Sequence, residues 1–166
     1  MILYTAVTKF ENKIIISNGN HTKTILNEIK RNKNFEESLK NTTYEDDPPI
    51  FTPRISAILE IKEEKQKYIF SIIKKSITNS TARFFFEFDP ITKGSGHMIH
   101  TYKQQDNNMT HSFNLEPVSI KIPETLDEFT NSIWNSLNLK YKISLFSCSI
   151  NIKTKKQTIN ILNINK

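Results

Sequence analysis

Short apolar runs, either alternating with polar residues or nearly unbroken, dominate this chain. Ile, Val and Phe concentrate at residues 2–9, 13–17, 54–61, 67–75, 81–88, 97–103, 118–122, 141–152 and 157–164. Their lengths and their β-branched and aromatic content predict strands. In Arg83-Phe84-Phe85-Phe86-Glu87-Phe88 the aromatics read as packing residues. A helical period replaces the strand pattern over Thr22 to Leu39, with a break near Asn32 to Asn34, and again over Thr125 to Asn138. In the second segment Thr125 and Glu128 stand at capping-box spacing. Leu126, Phe129, Ile133, Trp134 and Leu137 share one face there, which predicts a helix laid on a sheet with Trp134 in the packing. The pattern as a whole predicts an α+β sandwich without internal repeats.

At 166 residues, with no sharp shift in composition, the chain is expected to form a single domain over residues 1–166. Such a domain buries roughly 70% of its unfolded surface without disulfide or metal staples. Cys148 is the only cysteine, which excludes an internal disulfide and the cysteine clusters of structural zinc sites, and points to a reducing, intracellular setting. Met1-Ile2-Leu3-Tyr4 lacks a basic region ahead of a long apolar one, and no run reaches the length of a bilayer span. A soluble, cytoplasmic protein with no membrane partner is expected. The net charge is +6 and the pI about 9.3, but the lysines are scattered among acids, as in Lys62-Glu63-Glu64-Lys65-Gln66-Lys67. No basic stripe interleaved with aromatics is present, so a long nucleic acid is not an expected partner, whereas a positive field suits a small phosphorylated ligand.

Two of the three glycines fall in Gly94-Ser95-Gly96-His97-Met98-Ile99-His100-Thr101-Tyr102. In a chain this poor in glycine they mark a turn or a close approach of ligand to backbone. A strand leaving that turn would divide His97 from His100 and Tyr102 between its faces. The same stretch also reads as a plain hairpin turn with surface histidines.

Two loops carry further chemistry. Ser17-Asn18-Gly19-Asn20-His21-Thr22 ends a strand and begins a helix, an arrangement that aims backbone N–H groups at an anion such as phosphate, although Asn-Gly is also a common turn and Thr22 an ordinary cap. Tyr44-Glu45-Asp46-Asp47-Pro48-Pro49-Ile50-Phe51-Thr52-Pro53-Arg54-Ile55 places three carboxylates and an arginine around three prolines. Arg54 could grip a phosphate or carboxylate, and Glu45 or Asp47 could hold a ribose hydroxyl or move a proton. An Arg54 to Asp47 ion pair with a purely structural role is the competing reading.

Taken in order, these stretches, together with Ser112-Phe113, Glu116-Pro117 and Asp127 to Asn138, resemble the IMP cyclohydrolase family in its archaeal and bacterial stand-alone form. The resemblance covers nearly the whole chain. It implies a layered αββα sandwich of mainly antiparallel sheets, like that of the N-terminal nucleophile hydrolases but without their self-processing nucleophile. It also implies a purine nucleotide pocket and closure of the inosine ring from a formylated aminoimidazole carboxamide ribotide. That closure needs a base at the carboxamide nitrogen and an acid for the departing water, and demands no redox cofactor or metal. Laid on the matching motifs, Tyr4, Glu45 and Tyr102 are the candidates for proton transfer. Asn18, Gly19, His21, Thr22, Asp47, Arg54, Gly94, Gly96, His97 and His100 are the candidates for holding the ligand.

The chain also departs from the family pattern. A glycine-rich opening strand and a Ser-Arg-x-x-Asn-Arg type segment have no counterpart before Met1. Tyr4-Thr5-Ala6-Val7-Thr8 stands where the family has Tyr-Asn-x-Val-Arg, so Thr5 and Thr8 replace an amide and a cation. Sheet surface without its usual neighbour favours a homo-oligomer. Three functional readings follow. The first is a shortened, catalytically weakened relative that binds a purine nucleotide or nucleotide-derived signal, to sequester it. The second is a working IMP cyclohydrolase whose missing groups come from another subunit or from a different arrangement. The third is a structural or interaction protein that keeps only the scaffold.

Overall fold

The computed structural model describes residues 3–62, 66–89, 91–102, 112–113 and 116–165. The chain divides into two compact units, Met1–Ile91 with His97–Val118, and Thr92–Gly96 with Ser119–Lys166.

The first unit is built on a five-stranded antiparallel sheet whose strands lie in chain order. Strands β1 (Val7–Phe10) and β2 (Lys13–Ser17) form a hairpin turned at Glu11, whose φ is 54°. After β2 the chain leaves the sheet for helices α1 (His21–Ile29) and α2 (Phe35–Ser38), then returns as β3 (Arg54–Ile61), β4 (Gln66–Lys75) and β5 (Thr81–Phe88). The break expected between the helices is made by Asn32 in a left-handed conformation, φ 62°, and by a capping box. In that box the Asn34 side chain accepts from the Glu37 amide while Glu37 accepts from the Asn34 amide.

Alternation selects the face that α1 and α2 cover. Ile15, Ile58 and Ile69 are cross-strand neighbours in register, so their side chains share one side of the sheet. With Ile73 they bury against Ile25 and Ile29, one turn apart on α1, and against Phe35 and Leu39. Burial of each such side chain stabilises by about 1.5–3 kcal/mol, which makes this face the main anchor of α1 and of the turn before it. Arg83 of β5 donates to the carbonyl oxygens of Leu39 (3.2 Å) and Thr42 (2.7 Å), so the segment after α2 is tied down on the same side.

Strands β6 (Ser95–Met98) and β7 (Val118–Lys121) pair as a ribbon. In the second unit α3 (Leu126–Ser136) packs on the antiparallel hairpin of β8 (Ser144–Ile150) and β9 (Gln157–Asn163). Thr125 caps α3 through the Glu128 amide, as its spacing predicts. The buried centre of that packing is polar: Thr130 and Ser147 hydroxyls lie 2.6 Å apart. Trp134 is half-buried, with the Lys142 ammonium 4.5 Å from its ring centroid. The expected α+β class with mainly antiparallel sheets is what the structure shows. Among the described residues no helix is long and apolar enough to cross a membrane.

Candidate functional site

The turn from β2 into α1 is closed by its own hydroxyls. Ser17 Oγ donates to the Gly19 carbonyl at 2.8 Å, and Thr22 Oγ1, which also meets Ser17 Oγ, reaches the same carbonyl at 3.1 Å. The Thr22 and Lys23 amides turn back to the carbonyls of Gly19 (3.4 Å) and Asn20 (3.2 Å). Thr22 and His21 are buried, so at these positions the turn is structural framework. Asn18 fastens it to the proline loop: its Oδ1 accepts from the Ile55 amide (2.9 Å), and its Nδ2 donates to the Pro53 carbonyl (3.0 Å) and Thr101 Oγ1 (3.2 Å).

Within the proline loop the carboxylates divide their partners by geometry. Asp47 takes the Thr52 amide (2.6 Å) and hydroxyl (2.5 Å), which leaves Glu45 for Arg54. The Arg54 guanidinium holds Glu45 with both terminal nitrogens, Nη1 to Oε1 at 2.8 Å and Nη2 to Oε2 at 3.0 Å. The ion pair expected between Arg54 and Asp47 is therefore formed with Glu45 instead. Arg54 Nε donates to the Thr43 carbonyl (2.9 Å), while Nη1 also donates to Asn20 Oδ1 (3.1 Å). The guanidinium that could have clamped a free phosphate is thus already clamped on a carboxylate. Phe51, between these groups, has φ 50°, a conformation bulky side chains rarely adopt, and the Lys75 ammonium sits 3.3 Å from its ring centroid.

His21 is neutral here. Its Nδ1 faces Arg54 Nη1 at 3.3 Å and its Nε2 lies 3.3 Å from the Ile55 carbonyl, so Nε2 carries the hydrogen and Nδ1 accepts. Burial, and then the Arg54 charge, lower its pKa to about 4, against a smaller upward pull from the Ile55 carbonyl. Gly19 completes the contact. A Cβ built on it would stand 2.9 Å from Arg54 Nη1 and 3.2 Å from His21 Nδ1, so only glycine lets the guanidinium lie against the turn.

The glycine-rich stretch divides, but not by the expected alternation, because β6 ends at Met98 and Thr101 and Tyr102 both turn toward the loops. Thr101 reaches Asn18, and Tyr102, bridged to Ser112, places its hydroxyl 3.4 Å from Thr52 Oγ1. His100 Nδ1 donates to the Tyr102 carbonyl at 2.5 Å and its ring rests on buried Phe113. His97 goes elsewhere. Its Nδ1 lies 2.6 Å from the Tyr68 hydroxyl and its ring stacks 3.6 Å from Phe88. Tyr68 is in register with Leu59, one residue out of phase with Arg54, so His97 lies on the opposite face of the sheet. Gly94 and Gly96 serve the ribbon. Gly94 turns with φ 77°, and a Cβ on Gly96 would meet Ile122 at 3.1 Å.

Two cavities flank Asn20. One, of about 280 Å³, is lined mainly by Leu3, Tyr4, Thr5, Thr8, Lys23 and Leu26 together with Asn20 and Thr22. Tyr4 is thereby placed beside the turn, and Thr5 and Thr8 are on the same wall. The other is a polar groove of about 540 Å³ running from Asn20, His21 and Arg54 past α1 to the segment after α2. Asn20, Thr52 and Thr101 complete the constellation without having been singled out in the sequence. Each lies inside a motif that was, and the signal that could have found them is their polar side chains beside residues already chosen. Among the described residues no group of three or more His, Cys, Asp and Glu is placed to hold a metal.

Residues 1–156 match the family described as IMP cyclohydrolase-like protein. No curated protein matches the chain.

Proposed function

The chain belongs to the IMP cyclohydrolase-like family, and from that premise we propose that it binds a purine nucleotide or nucleotide-derived molecule beside the β2–α1 turn, with ring closure weak or lost. One observation carries the reading. Asn18, Gly19 and Asn20 from that turn, Glu45, Asp47 and Arg54 from the proline loop, and Thr101 and Tyr102 from the glycine-rich stretch meet around one point, although they are distant in sequence. The smaller cavity, which touches this constellation through Asn20, is lined by apolar Leu3, Tyr4 and Leu26 together with threonines, an asparagine and Lys23, which suits a purine carrying polar substituents. Glu45, whose side chain is 40% exposed, offers its open edge to a ribose hydroxyl or an N–H donor while Arg54 fixes it from behind.

The weak catalysis in this reading is supported by Thr5 and Thr8 on the cavity wall, where the family pattern carries an amide and a cation. Loss of one charged contact lowers affinity for the reacting state by about one to two decades, and the lost amide adds a smaller penalty. Tyr4 and Tyr102 remain as proton carriers, and Glu45 as the carboxylate. Calorimetry with IMP and an absorbance assay for IMP formation from the formylated ribotide test the two halves separately. Binding with slow or undetectable turnover is expected. Rapid turnover would replace this reading with that of an active cyclohydrolase, and absence of any nucleotide binding would leave a scaffold protein.

A further inference from the structure

The polar groove has a charge pattern that a mononucleotide does not use. Its lining holds four cations, Arg31, Lys33, Lys40 and Arg54, against two carboxylates, Glu28 and Glu37. Glu28 is shared by Lys33 and Arg31, the latter at 2.8 Å, and these two, Lys33 first, hold its pKa below the usual range. Glu37 is occupied in the capping box and Arg54 with Glu45. With Glu45 counted, these four cations exceed the carboxylates by one, and Lys40 has no ion-pair partner among the described residues. Hydroxyls of Thr24, Ser38, Thr42 and Thr43 and the Asn41 amide line the same groove. The groove and the smaller, more apolar cavity both border Asn20.

We propose that this groove receives a second phosphate group, which makes the preferred ligand a purine nucleotide with a diphosphate or longer anionic extension rather than a monophosphate. The inference rests on the nucleotide reading above and deepens it. A single phosphate beside Asn20 would leave Lys40 without a counter-charge and Arg31 and Lys33 sharing the one carboxylate of Glu28. A second phosphate meets a wall whose backbone is already held in place, since α2 is capped and the Arg83 side chain pins the Leu39 and Thr42 carbonyls.

The test is calorimetry on the full chain with inosine, IMP and IDP at low and high salt. IDP is expected to bind about ten-fold tighter than IMP, with the difference shrinking as salt rises. Lys40→Gln, and separately Arg31→Gln, should bring the IDP to IMP affinity ratio toward one, with thermal melts confirming that each variant is folded. Equal affinity for IDP and IMP, or an IDP preference untouched in both variants, overturns the second-phosphate site while leaving nucleotide binding standing. If none of the three ligands binds, the nucleotide reading itself falls, and this inference with it.

Discussion

Arg54 and Glu45 form a two-point ion pair, 2.8 Å and 3.0 Å, whose guanidinium also rests on the Gly19 backbone. The pair joins the turn that launches α1 to the loop that launches β3, so its removal should loosen both. Arg54→Ala leaves the Glu45 carboxylate, Asn20 Oδ1 and the Thr43 carbonyl without their donor. Because Glu45 is partly exposed, solvent recovers some of the loss, and a destabilisation of about 1–2 kcal/mol is expected by urea unfolding. Nucleotide affinity should fall by about ten-fold, through displacement of Glu45 and Asn20. An Arg54→Ala variant as stable as the parent would show the pair to be surface decoration.

Gly19→Ala tests the close approach. The added methyl would stand 2.9 Å from Arg54 Nη1, and that nitrogen is held on several sides. A cost of about 1–3 kcal/mol is expected for such overpacking. In the Gly19→Ala, Arg54→Ala double variant most of the added cost should vanish, because the methyl then has room. A double-mutant cycle on chemical unfolding measures this coupling, and strict additivity would contradict the contact.

Much of this arrangement was legible in the sequence. The apolar runs at 13–17, 54–61 and 81–88 coincide with β2, β3 and β5 because strand content there is unbroken and flanked by turn formers. Residues 2–9 read equally well as a strand, yet β1 begins only at Val7. Pairing requires a partner, and β2 ends at Ser17 opposite Ala6, where the chain bends into α1. Likewise Tyr141 and Lys142 spend their amides on Asn138 in a turn, and β8 starts at Ser144. At the site, Asn18 and the Thr101 segment, both within stretches that carry the family resemblance, do meet. The choice of Glu45 over Asp47 by Arg54 was not legible. It depends on Thr52 first capturing Asp47, a loop geometry that spacing does not encode.

His21 gives the fold a pH dependence of calculable sign. Its pKa is about 4 in the folded chain and 6.5 when unfolded, so between these values the unfolded state binds more protons. The contribution is fully present above the unfolded value and is lost as pH falls toward 4. A shift of this size corresponds to about 3 kcal/mol at most. Urea unfolding at pH 7, 5.5 and 4.5 should show stability falling, and His21→Gln should flatten that profile. Parallel profiles for parent and variant would assign the acid sensitivity to other groups.

The hydroxyl pair of Ser56 and Ser71 isolates the energetics of the sheet beneath α1. The two residues are cross-strand neighbours in β3 and β4, both buried, with their oxygens 2.5 Å apart. Replacing either one by alanine strands the other hydroxyl among Ile58, Ile73 and their neighbours, where a lost partner costs about 1–3 kcal/mol. Replacing both removes the donor and the acceptor together and leaves two methyl groups on an apolar surface. The double variant should therefore be less destabilised than the sum of the singles, by about 1 kcal/mol. Additive losses would mean that relaxation of the sheet lets each serine find another partner.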